Sequence, residues 1–196
     1  MAVHVVSILD RSGSMGGTEK EVIGAYNAFI EEQRKIAQTT NTKIKASLIL
    51  FDDQYETVYT KTAVEAVPVM DNKVYFTRGM TALYDAIGKT IQAFEGKDKV
   101  IFFIETDGQE NASKEFNHVR LKALVEQKTK DGWDFNFVGA DLSQSATVNM
   151  SSAIGIAAGK TMAFAKSDLG YATRNATFAA STMAYVQPTA TAKENT

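Results

Sequence analysis

Apolar residues fall into two rhythms along this chain: short runs that are apolar almost throughout, and longer stretches in which apolar positions return every three or four residues. Residues 3–9 form the first run, and their β-branched content predicts a strand buried on both faces, as in a parallel sheet. A Ser/Gly-rich turn follows. Val22, Tyr26, Phe29, Ile30 and Gln33 then recur at helical spacing to about Gln38, and Thr18 with Glu21 predicts a capping box at the start of that helix. Two further runs, Ile44–Phe51 and residues 55–60, read as strands. The short link Asp52-Asp53-Gln54 between them predicts an antiparallel hairpin at a sheet edge. Residues 61–78 read as irregular, with Pro68 as a breaker.

Thr81 opens a predicted helix carrying Leu83, Tyr84, Ile87, Ile91 and Phe94 on one stripe and ending near Gly96. Residues 99–105 give the strongest strand signal. A helix is predicted over residues 113–130 with Phe116, Val119, Ala123 and Leu124 inward, then a strand over 134–138 and a short helix over 142–149. A weak strand over 153–157 and a helix over 167–185 complete the pattern. Trp133, Phe135 and Phe137 read as core. Strands alternating with helices predict an α/β fold: a doubly wound, mostly parallel sheet with one antiparallel edge strand and helices on both faces. One domain is expected over residues 1–186. From Gln187 the composition turns to Pro, Thr, Ala and Lys, a tail not expected to order.

Composition narrows the function. A chain of 196 residues removes roughly 70% of its unfolded surface from water, enough for a core without staples. Lys+Arg 21 against Asp+Glu 23 gives a net charge of -2, so neither nucleic acid nor a membrane surface is an expected partner. With no cysteine, disulfides and thiolate metal sites are excluded. The first residues lack a basic segment, and their apolar run is broken by Ser7 and Asp10, unlike a signal peptide. No stretch approaches the roughly 18 apolar residues of a membrane span. A cytoplasmic location is expected.

Chemistry concentrates in three separated stretches: Asp10, Ser12 and Ser14, then Thr81, then Asp107. Two carboxylates and three hydroxyls make a hard-oxygen set suited to Mg²⁺ or Mn²⁺ rather than zinc or copper. In an open α/β sheet, ligands bind at the carboxyl ends of the strands. Asp10 ends the first predicted strand, Asp107 follows the 99–105 strand and Thr81 begins a helix, so all fall on one rim. Alternate residues in an extended segment point the same way, which aligns Asp10, Ser12 and Ser14. The competing reading makes these residues helix caps and turn formers.

The runs Asp10-Arg11-Ser12-Gly13-Ser14, Gly79-Met80-Thr81 and Thr106-Asp107-Gly108 resemble, in order and spacing, the metal-ion-dependent adhesion site (MIDAS) of von Willebrand factor type A (vWA) domains. The resemblance covers roughly residues 3–185, and the wording of the first run is similar to short stand-alone bacterial and phage members. It implies a vWA fold in which Ser12, Ser14 and Thr81 coordinate the metal while Asp10 and Asp107 hold it directly or through water. A further position would accept a carboxylate from a partner protein.

Other candidates are weaker. Asp52 and Asp53 read as turn formers, because an acid/base pair would be divided across a cleft. Gly88-Lys89-Thr90 and Gly159-Lys160-Thr161 lack the leading glycine of a phosphate loop. His4 and His118 lie away from the rim. Glu105 stands where the family pattern has an apolar residue. By alternation it shares Asp107's side, either supporting the metal or reaching water or a lysine. Arg11 is expected to project from the metal loop, and with Glu110 and Asn111 it is a candidate for partner contact. No catalytic residue is expected. The leading function is a binding module that recognises an acidic residue of a protein partner through Mg²⁺ or Mn²⁺. A self-assembling protein with the metal site between copies is the alternative; a metal-dependent hydrolase comes last, for want of a base or nucleophile.

Overall fold

The computed structural model describes residues 2–94 and 99–187. Along the chain run β1 (Val3–Asp10), α1 (Glu19–Thr40), β2 (Ile44–Phe51), β3 (Tyr55–Ala63), α2 (Leu83–Ala93), β4 (Lys99–Thr106), α3 (His118–Lys130), β5 (Asp134–Ala140), α4 (Gln144–Ala153), β6 (Thr161–Phe164) and α5 (Asp168–Val186). The six strands form one sheet in the order β3-β2-β1-β4-β5-β6. Only β3 is antiparallel, at the edge expected for it. Nearly the whole predicted tail lies outside the described residues; Gln187 closes α5.

Every residue of β1 is buried, which explains why the central strands lack alternation: both faces are covered. Val3, Val5 and Leu9 face a core with α1 and α5, where Phe103 lies 5.3 Å from Phe29 and 4.3 Å from Phe178 between ring centroids. Val6 and Ile8 face the opposite core, beneath α2 and α3, where Phe102 stacks on Phe135 at 4.8 Å and on Trp133 at 5.6 Å. Each such ring contributes about 1.5–3 kcal/mol by leaving water. The two cores clamp β1 and β4, and so fix where their carboxyl ends stand.

Three local expectations are corrected. The helix predicted from residue 113 begins at His118, because Asp85 captures the preceding backbone. Its carboxylate accepts from the N–H groups of Lys114 (2.9 Å), Glu115 (2.9 Å) and Phe116 (2.8 Å). Burial alone would raise the Asp85 carboxyl, but those three donors outweigh it and hold the pKa below the usual value. Asn117 then caps α3, and the buried positions are Leu121 and Val125; Val119 is 64% exposed and Ala123 also faces water.

Residues 153–157 are not a strand. Ile154 and Ile156 both enter the core, but around Gly155 at φ 84°, so apolar alternation came from a turn. The sixth strand lies later, at Thr161–Phe164. The capping box is also absent: the Thr18 hydroxyl donates to the Met15 carbonyl at 2.7 Å. Glu19 instead ties the helix entry down, accepting from the Gly17 N–H at 2.9 Å and the Thr77 hydroxyl at 2.6 Å.

Candidate metal centre

Parallel pairing sets Leu9 of β1 level with Glu105 of β4, bringing the residue after each onto the same rim. There the Thr106 hydroxyl donates to Asp10 Oδ2 at 2.5 Å, while the Ser12 N–H donates to Asp10 Oδ1 at 2.7 Å. Asp10 is fully buried. Burial pushes its pKa up to about 6, against the opposing pull of the Ser12 and Thr106 hydrogen bonds, and the nearby Asp107 charge adds to the rise. Tyr75, also buried, donates from its hydroxyl to the Asp10 carbonyl at 2.7 Å and pins the turn from behind.

The loop after β1 makes a single 3₁₀ turn, Gly13–Met15, anchored by the buried Met15 side chain. This aims Ser12 and Ser14 the same way: their hydroxyl oxygens are 3.1 Å apart, and the Ser14 hydroxyl donates to Asp107 Oδ1 at 2.6 Å. The Gly13 N–H donates to the Gly79 carbonyl at 3.1 Å, hooking this loop to the one carrying Thr81. Gly79 adopts φ 67°, and a Cβ there would stand 2.0 Å from Asp53 Oδ1, so the position favours glycine.

Thr81 is held by its backbone. Its N–H donates to Asn111 Oδ1 at 2.9 Å, and its carbonyl accepts from Asn111 N at 3.0 Å and Ala112 N at 3.2 Å. A Cβ on Gly108 would lie 3.1 Å from the Thr81 hydroxyl and 3.4 Å from the Ser14 hydroxyl. Both hydroxyls therefore close on the bare Cα of Gly108. Ser12, Ser14 and Asp107 are thus linked directly, the Thr81 hydroxyl reaches the same side of Gly108, and Asp10 shares the turn of Ser12.

The donor set fits a divalent cation of the hard kind: two carboxylates and three hydroxyls, with neither thiolate nor imidazole. Among the described residues no three His, Cys, Asp or Glu side chains group as a metal cage. This set is rich in hydroxyls, so it differs from such a cage by composition.

Sequence reasoning missed a lysine. The Lys166 ammonium, from the loop between β6 and α5, contacts Asp107 Oδ2 and donates to the Ser14 carbonyl at 3.0 Å. Only 10% of its side chain is exposed. Its backbone N–H is fixed by Asp141 Oδ1 at 2.7 Å. Placing the last strand at 153–157 hid this, because Lys166 is a rim residue only when β6 ends at Phe164.

The remaining candidates are engaged internally. Arg11 does not project; it is fully buried, with Nε 3.1 Å from Asp52 Oδ2 and Nη1 2.6 Å from Glu56. Asp52 also takes Arg78 Nε at 2.5 Å and the Gln54 N–H at 2.6 Å, so it closes the hairpin and bridges two guanidiniums. Glu110 spends one carboxylate oxygen on the N–H groups of Ala112 and Ser113, and the other on Tyr84 N and the Ser113 hydroxyl. Asn111 positions Thr81. Glu105 turns toward the α5 layer and pairs with Arg174, each side chain 1% exposed, reaching neither water nor a lysine.

No protein-family model matches the sequence, and no curated protein matches it. Solved structures do. The vWF domain of the type V pili tip protein Mfa5 from Porphyromonas gingivalis superposes with a TM-score of 0.68 at 12% identity, covering 97% of this chain and 98% of that one. The fold is that of a von Willebrand factor type A domain. A second match is the pilus adhesin SpaC from Lactobacillus rhamnosus GG, with a TM-score of 0.68 at 13% identity over 93% of this chain and 30% of that one. Proximal thread matrix protein 1 from the mussel byssus, described with a zinc-occupied MIDAS motif, gives a TM-score of 0.65 at 12% identity over 93% of this chain. The chain spans about half the length of that byssus protein, 46%. Among the described residues no helix is long and apolar enough to cross a membrane.

Proposed function

We propose that this vWA domain is a metal-dependent protein-binding module, in which Asp10, Ser12, Ser14, Thr81 and Asp107 hold Mg²⁺ or Mn²⁺ and a partner supplies an Asp or Glu side chain. The observation that carries the reading is the closure of the Ser14 and Thr81 hydroxyls over Gly108, beside Asp107 and within reach of the Ser12–Asp10 turn. When bound, the cation supplies a positive centre with a position open to an incoming carboxylate. The chain's own residues do the rest. Thr106, the Ser12 N–H and Tyr75 immobilise Asp10 and its turn, and Asn111 fixes Thr81. Met80, next to Thr81 and 56% exposed, offers an apolar contact beside the centre.

A binding role rather than catalysis is supported by the pilus and thread-matrix proteins among the structural neighbours, and by the internal engagement of Glu105 and Glu110. The test is affinity capture from the native host with Mg²⁺ present, repeated in EDTA and with Asp107→Ala. A specific protein retained only with the metal and the intact site is expected. Retention unchanged by both treatments contradicts the proposal. Light scattering of the pure protein separates self-assembly, which predicts a particle size that falls on adding EDTA.

A further inference from the structure

Two kinds of cation meet carboxylates on this rim, and only one of them is free to leave. We infer that Lys166 is a built-in competitor for the divalent cation: its ammonium and the metal are alternative occupants of the Asp107 end of the site. The inference rests on the metal reading of the site and names how that site is regulated.

The ammonium lies on one oxygen of the centre, Asp107 Oδ2, and on the backbone carbonyl of Ser14, whose hydroxyl belongs to it. With the Lys166 side chain 10% exposed and that of Asp107 3% exposed, the pair is largely screened from water. A divalent cation placed on the same Asp107 carboxylate would repel it strongly in such surroundings. An ammonium on a flexible stem can withdraw and rehydrate, unlike a guanidinium held by a fixed fork. Its departure also has a structural consequence. Lys166 directly precedes Ser167, whose hydroxyl caps α5 by accepting from the Gly170 N–H. Asp141 at the end of β5 holds the Lys166 N–H. Loading the metal thus frees a side chain rooted in the segment that joins β6 to α5, and couples the centre to that segment.

Calorimetric titration with Mn²⁺ tests this on the wild-type chain, Lys166→Met and Lys166→Gln, the second guarding against a variant that fails to fold. If the ammonium occupies the site most of the time, removing it raises the apparent affinity by the inverse of the unoccupied fraction, roughly tenfold at 90% occupancy. Both variants are expected to bind about tenfold tighter than wild type. Adding Mg²⁺ is also expected to speed amide exchange at Lys166 and Ser167 in wild type and leave it unchanged in the variants. Equal or weaker Mn²⁺ binding by the variants overturns the competition while leaving the metal site standing. Absence of binding in all three chains overturns both readings.

Discussion

Asp52 and Asp107 stand just past the carboxyl ends of β2 and β4, and both carry a cation, yet their surroundings differ. Asp52 is fully buried between the Arg11 and Arg78 guanidiniums, with Phe76 5.5 Å from each of them. Asp107 faces hydroxyls and a lysine. Guanidiniums are rigid, multidentate and always charged, whereas an ammonium is a hydrated point charge on a mobile stem. One half of the rim is therefore a fixed strut, and the other is equipped to exchange what it holds. Adjacent residues divide the labour: Arg11 turns into the strut, while Asp10 and Ser12 turn into the centre.

Breaking the strut gives the largest expected effect. Asp52→Ala strips the fully buried Arg11 of its buried partner and leaves only Glu56, half exposed. Urea denaturation should show a loss of about 3–5 kcal/mol. A loss under about 1 kcal/mol would erase the distinction between the two carboxylates. On the exchangeable side, Ser12→Ala and Ser14→Ala each remove one of the proposed oxygen ligands, and each should weaken Mn²⁺ binding by about tenfold or more in calorimetry.

Acid sharpens the contrast. The Asp10 carboxyl, pushed up to about 6 by burial, must lose its proton before it can face a cation. Mn²⁺ affinity should therefore be constant above pH 7 and fall about tenfold by pH 5. For folding the sign is the reverse. A carboxyl whose folded pKa is raised is penalised when ionised, so its contribution to stability is full below about pH 4 and is lost as pH rises through about 6. The smallest expected effect is that of Asp107→Ala on stability. The pair is largely buried, but the Lys166 stem is mobile and its ammonium can rehydrate when its partner is removed, so the cost should stay at about 1–2 kcal/mol, below that of Asp52→Ala, in the same denaturation experiment.

Much of this was legible in the sequence because fold and site share one cause. Parallel strands buried on both faces read as apolar runs, and their carboxyl ends fall on one rim, so the sequence alone leads one to expect Asp10, Thr81 and Asp107 on that rim. Long-range pairing was not legible. Nothing local says that Asp85 takes the backbone of residues 114–116, that Arg174 neutralises Glu105, or that Arg11 points inward to Asp52. Lys166 was hidden for a more specific reason: Ile154 and Ile156 imitate a strand, and that displaced β6 from its place just before the lysine.

The claim beneath all of this is that five side chains from three loops form one cation site. Calorimetric titration of Mg²⁺ and Mn²⁺ into the wild-type chain and Asp107→Ala, with circular dichroism to confirm the fold, tests it most directly. The account predicts one binding event per chain in wild type and none in the variant, with unchanged secondary structure. Equal affinity in the two proteins would contradict it.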